Sequence, residues 1–496
     1  MSLINISNLT FAYDGSYDTI FNQVSFQIDT DWKLGFIGRN GRGKTTFLNL
    51  LLRNYEYSGN ISANVSFEYF PYHIPDETLL TIDVIEQIHF GFEHWHLSRE
   101  LNLLQVDEEV LYRPFYTLSN GERTKVLLAA LFLKENCFLL IDEPTNHLDR
   151  SGRKLIAHYL KRKNGFILVS HDRTFLDACI DHVLSINKAD IEVQKGNFSS
   201  WYENKQAQDQ LELSQNKKLK NEIKRLSKAA KRTSEWSHKI EKTKNGTKVS
   251  GLKPDKGYIG HQAAKMMKRS IAIEDRQQSA ILEKSKLLKN IEAADSLKLS
   301  LLAHHSNRLL ALENIEIFYG EKSIFKDLNF QICQGDRICL NGKNGSGKSS
   351  IVKLILGDEM SYKGNLMKAS NLKISYISQD TSHLHGNLSG FAKLHQIDES
   401  LFKTLLHKLG LERIQYEKDI SDFSAGQKKK VLIAKSLSEQ AHLYVWDEPL
   451  NYIDVLSRIQ IEELLLQYQP TLLFVEHDAA FCKKIATETV PLDSHL

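Results

Sequence analysis

Two nine-residue runs carry the most specific chemistry in the chain: "GRNGRGKTT" at residues 38–46 and "GKNGSGKSS" at 342–350. Each fits G-x-x-x-x-G-K-[ST] between an apolar run and a helix-like pattern. In that setting backbone N–H groups curl around phosphate oxygens and a helix N-terminus adds its dipole. Gly38, Asn40, Gly41 and Gly43 would form the first loop, and Gly342, Asn344, Gly345 and Gly347 the second. Lys44 and Lys348 would reach the β- and γ-phosphates of ATP, while Thr45 and Ser349, followed by Thr46 and Ser350, would ligate Mg²⁺ and close the loop. Further along, Asp142 and Asp447 end apolar runs and suit a Mg²⁺ ligand. Glu143 and Glu448 follow directly, where an acid can orient and deprotonate the attacking water. His171 and His477 close another apolar run in each half, placed to sense the γ-phosphate.

The elements that must position these residues occur twice. "FLLIDEPTNHLD" at 138–149 returns as "LYVWDEPLNYID" at 443–454, "TLSNGERTKVLLA" at 117–129 as "DFSAGQKKKVLIA" at 422–434, and "LVSHD" at 168–172 as "FVEHD" at 474–478. The blocks keep their order at an offset of 304–306 residues, which means a duplicated domain. In each copy short apolar runs such as "KLGFIG", "CFLLID" and "RICLNG" predict buried strands, and "KTTFLNLLL" and "ERTKVLLAALFL" predict helices packed on them.

Composition is that of an ordinary globular chain, with 42% apolar and 25% charged residues in 496. No apolar run approaches the roughly 18–20 residues of a membrane span, and the N-terminus lacks the plan of a secretory signal. Five dispersed cysteines with no C-x-x-C pair argue against zinc and disulfides and for a reducing, cytoplasmic setting. The net charge of +3 hides an asymmetry. Residues 211–270 hold 17 Lys/Arg against 5 Asp/Glu, so the remainder carries −9.

Phosphate loop, "LSNGE"/"FSAGQ", "DEP" and the following histidine together resemble ABC-type ATPases over about 390 residues. The resemblance implies two domains facing head to tail, each nucleotide lying between one domain's phosphate loop and the other's signature. By that implication Lys44, Asp142 and Glu143 pair with Ser424 and Gly426, and Lys348, Asp447 and Glu448 pair with Ser119 and Gly121. Tyr13 and Tyr319 match the aromatic that stacks on adenine, and Gln379 matches the glutamine that joins the Mg²⁺ ligands. The first half departs from the pattern: Tyr72 stands at the glutamine position, Asn120 replaces a signature glycine, and Arg42 crowds the phosphate loop. Unequal sites are the expectation.

Between the halves, neither Gly nor Pro interrupts 197–245 or 261–319, and Leu211, Leu213, Leu219, Ile223 and Leu226 recur at helix-like spacings among lysines. Two long helices are predicted, joined by a loop near 245–260. Clustered Lys/Arg suits polyanion binding, and Trp236, His238, Tyr258 and His261 offer stacking faces for RNA. The fold class expected is therefore α/β, with two tandem ABC-type P-loop ATPase domains (1–200 and 306–496) joined by a long α-helical hairpin linker (201–305).

This organisation resembles the ABC-F proteins, and "WKLGFIGRNGRGKTT", "DEPLNYID", "AAKMMKRS" and "GNFSSW" resemble their Lsa-type antibiotic-resistance branch. The resemblance implies a monomer acting on the 70S ribosome near the E site, its linker touching large-subunit rRNA and tRNA. It would protect the peptidyl-transferase centre from lincosamides, streptogramin A compounds and pleuromutilins, and would not be a pump. Lys244, Lys248, Lys253, Lys256, Tyr258, Lys265, Lys268 and Arg269 are the linker residues expected to meet the ribosome. Residues 78–113 match the place of the family's arm, an insertion that touches the ribosome. A housekeeping translation factor of the same family and a cytosolic exporter subunit are the alternatives; the exporter would leave the basic connector unexplained.

Overall fold

The computed structural model describes residues 2–13, 19–146, 148–187, 190–243, 297, 299–319, 322–343 and 345–492, with single positions between 261 and 279. Two compact units emerge: Met1–Trp201 together with Ala294–Leu496, and Tyr202–Ala293.

In the first half, β1 (Leu3–Ala12) pairs antiparallel with β2 (Thr19–Asp29) and β4 (Ser58–Ser62). The main sheet runs β5 (Ser66–Phe70), β6 (Cys137–Asp142), β7 (Phe166–Val169), β3 (Lys33–Ile37), β8 (His182–Asn187), β9 (Asp190–Lys195). All its pairings are parallel except the last. Parallel strands covered on both faces must be apolar throughout, and "FILV" of β7 is buried at every position. The helices are α1 (Lys44–Leu51), α2 (Thr81–Ile88), α3 (His94–Leu103), α4 (Asn120–Leu131), α5 (Arg150–Lys161) and α6 (Arg173–Cys179).

The second half repeats the plan. A sheet of β11 (Lys322–Cys333), β10 (Arg308–Tyr319) and β13 (Ser361–Lys368) accompanies a five-stranded sheet. That sheet runs β14 (Ile374–Ile377), β15 (Leu443–Asp447), β16 (Leu472–Val475), β12 (Arg337–Asn341), β17 (Glu488–Pro491). Adjacent parallel strands leave the carboxyl ends of β6 and β15 side by side with those of β7 and β16, with Asp142 opposite Val169 and Asp447 opposite Val475. These ends form the crevice where ligands bind in such sheets.

Segment 78–113 folds as α2, α3 and one short 3₁₀ turn, Glu108–Tyr112. Its apolar residues Val84, Ile85, Leu97 and Leu101 are buried. The second half carries a matching pair of helices at Leu388–Leu394 and Glu399–Lys408, so the two helices belong to the duplicated plan.

The unit Tyr202–Ala293 is entered through α7 (Phe198–Thr243), a single helix of 46 residues, about 70 Å long at 1.5 Å per residue. Leu211 and Leu213 are exposed on it. The described positions from His261 to Ser279 are helical, and Lys265 and Lys268 are exposed. Lys244, Lys248, Lys253, Lys256, Tyr258 and Arg269 lie outside the described residues.

Candidate nucleotide sites between the halves

Each phosphate loop ends on a glycine in the left-handed region, Gly43 at φ +94° and Gly347 at φ +87°, immediately before the helix starting at Lys44 (α1) or Lys348 (Lys348–Leu356). Gly41 and Gly345 are also left-handed, and a Cβ there would meet nothing, so the loop backbone faces open space. The lysine side chains are buried. Lys44 Nζ donates to the carbonyl of Gly38 at 2.8 Å and to Asn40 Oδ1 at 3.3 Å; Lys348 Nζ donates to the carbonyls of Gly342 at 2.9 Å and Lys343 at 2.8 Å. Burial lowers the pKa of both ammonium groups, against the pull of neighbouring carboxylates. A polyphosphate would replace weak carbonyl partners with full negative charge.

Thr45 Oγ1 donates to Asp142 Oδ2 at 3.3 Å, and Ser349 donates to Asp447. Asp447 Oδ1 is buried without a hydrogen-bond partner, an orphan acceptor that a cation would satisfy. Among the described residues no group of three or more His, Cys, Asp or Glu forms a ready cage. One carboxylate and one hydroxyl per half fit Mg²⁺, which keeps waters and takes substrate oxygens. Tyr13 shares a hydrogen bond with Thr46 at 2.8 Å and is half exposed beside the first loop. Asn344 and the side chain of Tyr319 lie outside the described residues.

Glu143 and Glu448 both adopt left-handed backbone, φ +49° and +47°, a strained conformation for a residue with a side chain. Their N–H groups are fixed by the carbonyls of Val169 at 2.9 Å and Val475 at 3.1 Å, which hold the strain in place. Glu143 Oε1 lies 3.2 Å from His171 Nε2, and Glu448 Oε1 lies 3.4 Å from His477 Nε2. Beyond this the halves diverge. Glu448 Oε2 accepts from Gln379 Nε2 at 2.8 Å and Asn451 Nδ2 at 2.6 Å. Burial pushes the Glu448 carboxyl up, but His477, Gln379 and the Lys429 ammonium outweigh it and leave it below the usual range. Burial and the adjacent Asp142 push Glu143 up to about 8. Burial, with Lys44 and Arg458 nearby, holds His171 well below the ordinary histidine range.

At the glutamine position of the first half, the Tyr72 hydroxyl is buried without a partner, and Lys134 Nζ lies 5.8 Å from its ring centre. The tyrosine that touches the acid is Tyr69, whose hydroxyl donates to Asp142 Oδ2 at 3.1 Å. Strand alternation decides this, because Tyr69 pairs with Leu140 one pleat before the site.

The signature serines start helices, Ser119 on α4 and Ser424 on the helix Ala425–Ser438, each in a capping box with Glu122 or Gln427. Free N–H groups at such a start suit an anion. Ser119 and Gly121 line a cavity of about 1080 Å³ with Lys348, Ser349, Ser350, Gln379, Glu448 and His477. The opposite seam is packed. A Cβ on Gly426 would lie 2.5 Å from the Tyr452 carbonyl and 2.9 Å from Asn40 Nδ2, and Asn40 Nδ2 already donates to that carbonyl at 2.7 Å. Near Lys44, Lys430 and Asp454 form a fully buried pair at 2.9 Å, whereas their counterparts Lys125 and Asp149 line the large cavity. On the packed side Arg173 grips Glu462 through both guanidinium nitrogens, with Glu462 fully buried and also bound by Lys484 at 3.1 Å. Sequence reasoning singled out none of Tyr69, Asn451, Arg173, Lys430 and Asp454; duplication marks Tyr69 through Tyr376, Asn451 through Asn146, Lys430 through Lys125 and Asp454 through Asp149, whereas Arg173 aligns with Ala479 and has no such signal.

Two P-loops, each facing the signature helix of the other half, define the class. A family profile described as "ABC transporter" matches residues 21–146 and 325–451, so the chain belongs to that family and is an ATP hydrolase. Relatives align through both halves and the connector, in keeping with the ABC-F resemblance. The chain is 28% identical to the ribosome protection protein VmlR of Bacillus subtilis (strain 168), over 99% of its own length and 87% of that protein's. It is 26% identical to the uncharacterized ABC transporter ATP-binding protein YfmM of the same organism, over 99% and 98% of the two chains. It is 28% identical to the ATP-binding protein Uup of Buchnera aphidicola from Acyrthosiphon pisum (strain APS), over 98% and 80%. Among solved structures, the archaeal ribosome recycling factor aABCE1 in complex with the stalk protein aP1 matches at TM-score 0.64 and 19% identity, over 98% and 87% of the two chains, a likeness of fold. No helix among the described residues is long and apolar enough to cross a membrane.

Proposed function

We propose that the chain is an ABC-F ATPase of the cytoplasm that binds the 70S ribosome near the E site and protects the peptidyl-transferase centre from lincosamide, streptogramin A and pleuromutilin antibiotics. The observation that carries this reading is the +12 charge of residues 211–270, set in sequence between two ATPase halves, with half of that charge on the helix of 46 residues that ends at Thr243. Clustered cations on an extended helix match the phosphates of large-subunit rRNA and tRNA. The name of the Bacillus relative, a ribosome protection protein, supports the same reading.

In this proposal the domains are 1–200, a linker of 201–305, and 306–496, acting as a monomer. The loop residues from Gly38 to Thr46 and from Gly342 to Ser350 hold the phosphates, with Tyr13 and Tyr319 at adenine. Thr45 and Asp142, and Ser349, Gln379 and Asp447, would hold Mg²⁺, which neutralises phosphate charge when bound. Glu448, held by Gln379 and Asn451, takes a proton from water as its oxygen bonds to the γ-phosphorus and the bond to the β-phosphate oxygen breaks. His477 steadies that carboxylate; Glu143 and His171 have the matching parts at the first site. Ser119 and Ser424 contact the γ-phosphate from the facing half, so ATP closes the clamp and hydrolysis releases it.

Drug susceptibility tests the reading. A sensitive bacterium expressing the wild type should survive the three drug classes, and a variant with 245–260 shortened should lose that protection. Protection that survives the shortening would remove the role assigned to the linker.

A further inference from the structure

The duplicated halves allow each seam to be compared with its own repeat, and one place differs in chemistry throughout. Arg153 pairs with Asp172 at 3.1 Å, and Arg458 pairs with Asp478 at 3.3 Å, which fixes the register of α5 against the helix Val455–Tyr468. In that register the residues Arg150, Lys154, His158 and Lys161 of α5, all exposed, correspond to Val455, Ile459, Glu463 and Leu466. Four basic side chains on consecutive turns of one helical face replace two apolar buried residues, an acid and a leucine. The Arg173–Glu462 clasp likewise corresponds to Ala479 and Ala157 on this side. Where the clasp fills one seam, a cavity of about 500 Å³ opens at the other, lined by Ala157, Ala479 and the basic face of α5.

The carboxylates in that cavity are already engaged. Asp172 pairs with Arg153, and Asp177 accepts from the Ser199 backbone N–H at 2.8 Å, in the first turn of α7. No described carboxylate forms an ion pair with Arg150, Lys154 or Lys161. Arg150, Lys154 and Lys161 form a row about 16 Å long at 1.5 Å per residue, with His158 as a further hydrogen-bonding group between the last two, enough to follow several phosphates of one strand.

We propose that this face of α5, with the adjoining cavity, docks the phosphate backbone of RNA; this rests on the reading that the protein works on the ribosome. It is a second contact, on the ATPase body and separate from the connector.

The test uses the full chain, purified ribosomes and a short RNA duplex. The triple variant Arg150→Glu, Lys154→Glu, Lys161→Glu changes exposed residues only, and Lys265→Glu with Lys268→Glu serves as the linker control. With three phosphate-facing cations removed, the plot of log affinity against log salt should become shallower by about 2–3, and ribosome affinity at low salt should fall at least about tenfold. Binding to the RNA duplex should weaken in the same variant. Equal slopes and affinities for wild type and triple variant, with the linker control weakened, would overturn the α5 site and leave the ribosome reading standing. Wild type that binds the duplex through α5 but never sediments with ribosomes would keep the site and remove that reading. Loss of ribosome binding with an unchanged slope and no affinity for the duplex would assign the face to an acidic protein and overturn the RNA assignment. Binding to neither probe would overturn both.

Discussion

The clasp between Arg173 and Glu462 offers the sharpest energetic test of the packed seam. Glu462 is fully buried, whereas Arg173 keeps 18% and Lys484 keeps 46% of their side-chain surface exposed. Arg173→Ala therefore strands a buried carboxylate that retains only the half-exposed lysine. Breaking one partner of a buried pair costs about 3–5 kcal/mol, and the remaining lysine offsets part of that, leaving a loss of about 2–4 kcal/mol. Removing both partners strands nothing, and the repeat shows that alanine fits both places, as Ala479 and Ala157. Thermal unfolding of wild type, Arg173→Ala, Glu462→Ala and the double variant forms a cycle. The double variant should unfold above Arg173→Ala, with a coupling of about 1–3 kcal/mol. A double variant that unfolds below both single variants, with additive losses, would refute the clasp as a coupled pair.

Other outcomes follow from the same geometry. Gly426→Ala must push the Tyr452 carbonyl and Asn40 apart, so it should unfold at a lower temperature and lose at least about tenfold in ATPase, while Gly121→Ala, whose Cβ would meet only Leu148 Cδ2 at 3.6 Å, should unfold like the wild type; thermal unfolding of the two variants without nucleotide decides. Glu448→Gln should cost more turnover than Glu143→Gln, because Gln379 and Asn451 hold only the former carboxylate; equal losses would contradict unequal sites. Asp454→Asn leaves Lys430 buried and unpaired and should cost about 3–5 kcal/mol in chemical unfolding. Burial alone would raise the Asp454 pKa, but Lys430 and the Ser457 N–H outweigh it and depress it. Its contribution is therefore complete above the unfolded carboxylate value of about 3.9 and is lost as pH falls through the folded value; a pH series should show Asp454→Asn and wild type converging in acid.

The chemistry was legible in the sequence because phosphate loops work through contiguous residues. The spacing from Gly38 to Thr45 is itself the geometry, and duplication marked Asp142, Glu143 and His171 through their repeats. The family resemblance says which motifs face each other across the seam, but the side chains that pack it were not legible. Asn40 and Tyr452 are 412 residues apart, Arg173 and Glu462 are 289 apart, and no local pattern announces such partners. Alignment to the glutamine position pointed to Tyr72, yet the pleat of β5 turns Tyr69 toward Asp142. The segment from 78 to 113 read as an insertion because the family resemblance puts the arm there. Its buried Leu97 and Leu101 and its counterpart at 388–408 show helices common to both halves.

The central claim is that ATP closes the two halves into the ribosome-bound form and hydrolysis lets go. Co-sedimentation of the Glu143→Gln, Glu448→Gln double variant with ribosomes, with and without ATP, tests it most directly. The account predicts ATP-dependent retention that persists through washing, while the wild type is released as ATP is consumed. Rapid release of the double variant in the presence of ATP would contradict it.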